Sequence, residues 1–242
     1  MVLACFYFTS CNDQKLESSF NAIDENDPVF KRIISLGFTK SDVQDLGQYY
    51  LVEGDITFSK SSLQNLQPTS NGRSDQASRN ELISFDRQPT VSIRIDNSMP
   101  LTGVDNWRAE IQQAINDWNS VGDSRINMVL VDQATTQTSI TIISDNAVPN
   151  ESLLRDDVVA VAEFPFIDGR PGFRVRVNLD FNSNRTVTTG QKRRNIVHEL
   201  GHCIGFRHTN WNSLNESSAN TIPGTPQSDN ASVMNGGTAL NE

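Results

Sequence analysis

From Leu82 onward the apolar positions keep clear periods. Val91, Ile93 and Ile95 alternate with Ser92 and Arg94, which predicts a half-buried strand. Trp107, Ile111, Ala114, Ile115 and Trp118 recur at helical spacing and predict one apolar helix face that Gly122 ends. Tryptophans on such a face belong to the core. Residues 126–131 and 139–143 read as two more strands. Residues 158–166 and 173–181 flank Asp168-Gly169, a hairpin-turn pair, with Pro171 and Gly172 lengthening the loop. A last helix is expected from about Gln191 to Ile204, after Thr189-Gly190. No internal repeat is present.

The amino-terminal part is organised differently. Asp27-Pro28 opens a short helical pattern through Phe30, Ile33 and Ile34 that stops at Gly37: Asp caps, Pro suits the first turn, and Gly suits the exit. Ser41 with Gln44 predicts a capping box for a second short helix. Residues 49–58 read as a strand interrupted by Gly54-Asp55. These pieces form a small module, 12–66, and a polar linker, 67–81, comes next with Arg73 and Arg79 exposed to proteases. Residues 1–11 are a short apolar run ending in Phe8-Thr9-Ser10-Cys11, which resembles a bacterial lipoprotein signal with the lipid on Cys11. The alternative is a buried amino-terminal strand.

Composition narrows the classes of partner. The 242 residues, 36% apolar and 20% charged, allow one ordinary domain with a small companion. A net charge of −9 and no basic run exclude a nucleic-acid face. Only Cys203 lies in the body of the chain, so no disulfide framework supports it, and that thiol is expected to pack as a small apolar residue.

The chemistry is concentrated at 198–208, where His198-Glu199-Leu200-Gly201-His202-Cys203-Ile204-Gly205-Phe206-Arg207-His208 fits HExxHxxGxxH. Histidines at i and i+4 share one helix face and can reach one zinc. Gly205 can take a left-handed conformation that ends the helix and brings His208 back as a third ligand. Three neutral donors leave a position for water, as in catalytic rather than structural zinc sites. Glu199, about 100° round the helix from His198, is placed to act as general base. The chain has three histidines in all, and every one lies in this segment.

The extended motif resembles that of the metzincin zinc endopeptidases. Ser232-Val233-Met234-Asn235 matches their methionine turn, with Met234 as the floor of the site. Within the clan, the 198–203 segment and Ile222-Pro223-Gly224-Thr225-Pro226 through Met234 resemble the bacterial dual-action HEIGH metallopeptidases, with Leu200 in place of Ile. The likeness covers roughly residues 85–237. It implies an α+β catalytic domain, 82–242: a twisted mixed sheet over two main helices, with His198, His202 and His208 on zinc and Glu199 as base. It also implies an edge strand within 158–166 that pairs with the substrate backbone. The tyrosine that some metzincins carry two residues beyond the methionine is Gly236 here. Only eight residues come after Met234, so the closing helix of the clan is either missing or cut off.

The expectation is therefore a monomeric zinc endopeptidase of the cell envelope or exterior, acting on protein or peptide substrates and touching membrane only through a lipid on Cys11. The rival is a lipid-anchored adhesion module in which zinc staples a loop; Glu199 and the lack of a fourth protein ligand argue against it. Val52-Glu53-Gly54-Asp55 resembles the Phe-x-Gly-Asp aspartate-switch segment of astacin propeptides, with Val52 at the aromatic position. It makes Asp55 a candidate latency switch that sits on zinc until the linker is cut. The alternative is a turn with Asp55 solvated.

Overall fold

The computed structural model describes residues 20–63, 82–148, 151, 154–181, 186–220, 222, 225–226 and 229–241. The signal and the linker therefore lie outside the described residues. Eight strands among these residues form one mixed sheet: β1 Val43–Asp45, β2 Tyr49–Val52, β3 Ile56–Ser59, β4 Val91–Ile95, β5 Met128–Leu130, β6 Ile140–Ser144, β7 Ala160–Glu163 and β8 Arg174–Val177. Their order is β1-β2-β3-β7-β8-β6-β4-β5. Five helices accompany them: α1 Pro28–Ser35, α2 Lys60–Leu63, α3 Arg108–Asn119, α4 Thr189–Cys203 and α5 Trp211–Leu214. The architecture is α+β, and no described helix is long and apolar enough to cross a membrane.

The predicted periods account for most of these elements. β4 buries Val91, Ile93 and Ile95 and leaves Ser92 and Arg94 less covered, as alternation requires. The covered face packs against Ile111, Ala114 and Ile115 of α3 and Ile196 and Leu200 of α4. Each fully buried Ile or Leu contributes about 1.5–3 kcal/mol by leaving water. Trp118 adds orientation, since its Nε1–H donates to Val197 O at 3.0 Å and its ring stacks on Phe206. The two helices are thus locked together beside the end of α4.

At the amino-terminal end, Asp27 caps α1 by accepting from Val29 N at 2.7 Å, and Gly37 leaves the helix at φ +92°. The second expected helix does not form. Thr39 and Asp42, not Ser41 and Gln44, make the capping box, and it closes only a single 3-10 turn, Lys40–Asp42. Gln44 lies in β1, where Val43 and Asp45 turn inward and pair with β2. Alternating burial in a paired strand outweighs a local cap.

The expected edge strand is β7, but its outer edge is covered. β2 and β3 form an antiparallel hairpin, and β3 runs parallel to β7 with Ile56 opposite Ala162 and Thr57 opposite Glu163. Ala162 N donates to Asp55 O at 2.9 Å and Phe164 N to Thr57 O at 3.1 Å. Glu163 accepts from Ser59 N at 3.1 Å and from Arg174 at 3.1 Å, which ties the same strand to β8. Phe164 also enters the apolar cluster of Phe30, Phe38, Tyr50 and Phe58. The amino-terminal residues therefore extend the sheet of the larger part instead of folding apart from it.

Candidate metal centre

α4 begins with a capping box, Thr188 Oγ1 accepting from Gln191 N and Gln191 Oε1 accepting from Thr188 N. It ends in a Schellman turn: Phe206 N donates to Gly201 O and Gly205 N to His202 O, each at 3.0 Å, with Gly205 at φ +106°. That exit folds His208 back against the last turn of the helix. His198 and His202 Nε2 atoms lie 2.9 Å apart, and the three imidazole rings have centroids 4.6 to 5.3 Å from one another.

The ring orientations are fixed from behind. Nδ1–H of His198 donates to Val233 O and that of His202 to Phe206 O, both at 2.7 Å. Nδ1 of His208 faces both oxygens of Glu216 at 3.0 Å. With the Nδ1 hydrogens so committed, all three Nε2 lone pairs face one point. Asp55, at the tip of the β2–β3 hairpin, brings its carboxylate to the same point: Oδ2 is 2.9 Å from His208 Nε2 and 3.4 Å from His198 Nε2, and Oδ1 is 3.6 Å from His202 Nε2. The four donors lie within 4.8 Å of one another.

This set fits zinc. Ligands 2.0 to 2.1 Å from a tetrahedral zinc stand about 3.3 Å from each other, and the separations here straddle that value. Asp55 Oδ1 is buried without a hydrogen-bond partner among the described residues, as an oxygen aimed at a cation would be. Burial also holds His202 down to about 4, which keeps its ring neutral and able to ligate. Burial alone would lower His208 too, but Asp55 and Glu216 raise it. Burial would raise the Asp55 carboxyl, but His208 foremost, with hydrogen bonds from His198 and His202, outweighs it and keeps the carboxyl well below its usual range.

Glu199 is buried beside this point, and its Oε2 has no partner among the described residues. Burial, and after it the nearness of Asp55, raises its carboxyl well above the ordinary value. Met234 lies under α4, where its Sδ comes within 2.4 Å of the position a Cβ on Gly201 would take. Gly236, at the place of the clan's tyrosine, is equally confined: a Cβ there would be 2.6 Å from His208 Nδ1. Cys203 is buried, and its thiol is pushed up by burial, then by Glu199 and Glu163. It packs as an inert side chain.

All six residues singled out in the sequence, His198, Glu199, His202, His208, Met234 and Asp55, are brought together. Glu216, which backs His208 from a loop eight positions later, carried no local signal. Nor did the buried pair of Glu53, next to the hairpin tip, with Arg207, next to His208; their side chains are 0% and 2% exposed.

No curated protein matches this sequence. Two solved structures of myroilysin resemble the fold, each at 13% identity. One has a TM-score of 0.32 and covers 50% of this chain and 49% of its own. The other has a TM-score of 0.36 and covers 61% and 70%. The chain thus spans about half the length of the first. The sequence profile of the dual-action HEIGH metallopeptidases matches residues 50–242, and with the HExxHxxGxxH segment inside that span the chain belongs to this zinc metallopeptidase family.

Proposed function

We propose that the chain is a metzincin-type zinc endopeptidase held latent by its own amino-terminal residues. The observation that carries this reading is the Asp55 carboxylate against the three histidine Nε2 atoms. When bound, zinc lowers the pKa of a water and polarises the scissile carbonyl. His198, His202 and His208 hold it, with Val233, Phe206 and Glu216 keeping their rings in place. Glu199 takes the proton of the attacking water and passes it to the leaving amine, and its burial raises the carboxyl in the direction that favours giving the proton up to the amine only after taking it. The Met234 side chain fills the space beneath the helix and keeps the two helical ligands at fixed height.

In the intact chain Asp55 stands where that water would have to stand. β3 simultaneously uses the main-chain groups of β7 that a substrate would pair with. Cleavage in the 67–81 linker, after Arg73 or Arg79, would let both leave together. Export, with a lipid on Cys11, fits a peptidase that carries its own restraint. Cys11→Ala should then release the protein from the membrane fraction, whereas a wild-type protein found intact in the cytosol would refute export.

The decisive experiment is Glu199→Ala in the zinc-loaded chain after linker cleavage. Zinc content should stay at one per chain while turnover falls by about 10²–10⁴-fold. Undiminished hydrolysis at normal zinc content would overturn the mechanism.

A further inference from the structure

Arg207 is held by residues of the larger part of the molecule. Its Nη1 donates to Ser218 O at 3.1 Å, and its Nη2 donates to Ser217 O at 3.0 Å and Ser217 Oγ at 2.7 Å. The guanidinium is thereby fixed before any carboxylate meets it. In this structure the carboxylate is that of Glu53, which accepts from Arg207 Nη2 and, at 3.3 Å, from Ser217 Oγ. Both side chains are buried, so the pair is dry and a neutral isostere would leave a buried cation unpaired.

Glu53 also reaches this slot at a backbone cost. Its φ is +55°, left-handed in a non-glycine residue, at the hairpin tip two positions before Asp55. Such a conformation is strained for a residue that carries a side chain. The slot adjoins the metal centre, since Glu53, His208 and Glu216 bring their donor atoms within 4.8 Å of one another. Phe38, whose ring lies 4.0 Å from the Arg207 guanidinium, belongs to the same amino-terminal residues and would leave with Glu53.

We propose that Arg207 and Ser217 form a specificity subsite for an acidic side chain beside the scissile bond, and that Glu53 fills it in the latent chain as a substrate glutamate does in the active one. The subsite rests on the peptidase reading but names the substrate class: peptides carrying Glu, and less well Asp, within two residues of the cleaved bond. Glutamate has the reach that Glu53 uses; aspartate is one methylene shorter. A lysine there would face Arg207 and be rejected.

The test uses the zinc-loaded chain after cleavage in the 67–81 linker, carrying Glu53→Ala and Asp55→Ala so that neither side chain can re-enter the site. Peptides identical except for Glu, Gln or Lys at each position near the cleaved bond are compared by kcat/KM and by equilibrium binding monitored through tryptophan fluorescence. Glu at one position should favour both readouts by roughly tenfold or more over Gln at about pH 8, as expected for a charge-assisted contact with Arg207 once Phe38 no longer covers the slot. Arg207→Gln in the same background should bring the Glu-to-Gln ratio near one, and Arg207→Lys should restore part of it. Ser217→Ala, a smaller change for the fold, should lower the ratio several-fold. Equal binding of Glu and Gln peptides, or a Glu preference that survives Arg207→Gln in a folded protein, overturns the subsite. Preferential binding of Glu peptides without any cleavage overturns the peptidase reading and leaves the subsite standing.

Discussion

Met234 Sδ fills the space that a side chain on Gly201 would need, 2.4 Å from an ideal Cβ, and Trp118 closes the same gap at 3.3 Å. A helix-interior glycine normally costs stability relative to alanine. Here it lets the methionine turn lie flush against α4, between the two helical histidines. Gly201→Ala should therefore lose about 1–3 kcal/mol to overpacking, against which helix propensity returns at most about 1 kcal/mol. The expected outcome is a melting temperature lower by several degrees. In a cycle with Met234→Ala the penalty of Gly201→Ala should shrink; an unchanged penalty would show that the contact is not its source.

Replacing Asp55 tests latency without touching the three histidines. Asp55→Ala should raise the activity of the uncut chain by roughly tenfold or more, the equivalent of losing one contact to a charged group worth about 1.5–3 kcal/mol. Chains already cut in the linker should gain nothing. An uncut wild type as active as the cut one would refute the switch.

Loss of a helical ligand should look different from loss of a support. His202→Ala should abolish zinc binding and lower thermal stability, because metal affinity is folding free energy in a preformed site. Glu216→Gln should keep the metal but weaken it by about 10–100-fold, the usual effect of altering a group that orients a ligand. Competition with a graded chelator series, read as zinc retained per chain, distinguishes the two.

The docking of the hairpin tip should depend on pH through Glu53. Burial pushes its carboxyl up to about 7, even though Arg207 pulls it down. A released Glu53 returns to the ordinary carboxylate range near 4.3, so docking takes up a proton between those values. A raised carboxyl favours the docked form at acid pH, and that contribution is lost as pH rises through about 7. Exchange of the Ala162 and Phe164 amides, which donate to residues 55 and 57, reports the event. After correction for intrinsic rates, their protection should fall by roughly tenfold between about pH 5.5 and 8. Glu53→Gln should flatten the dependence; an unchanged profile would assign it elsewhere.

The parts of the molecule that sequence foretold are those in which local rules and metal geometry coincide. His198, His202 and His208 are tied to spacings that a helix, a left-handed glycine and a single cation impose together. The apolar face from Trp107 to Trp118 was equally legible because one helix period generates it. Ser41 and Gln44 misled because a cap is a local preference, and the pairing of Val43 and Asp45 with β2 prevailed. Ile56 opposite Ala162, Glu53 with Arg207 and His208 with Glu216 depend on where distant segments meet. No period or spacing encodes such meetings. Asp55 was found through its neighbours' resemblance to a known switch segment.

The parallel seam between β3 and β7 also governs the fate of the cut protein. If linker cleavage releases residues 20–63 as proposed, Ala160–Glu163 lose their outer partner, and a strand now buried along its whole length presents open main-chain donors and acceptors. Such an edge templates pairing with any extended chain, including another copy of itself. Cleavage would thus begin two clocks at once, one of turnover and one of colloidal lifetime. The cut protein should survive longest when peptides occupy that edge and decay by self-association, with a rate that rises with its own concentration, when they are exhausted.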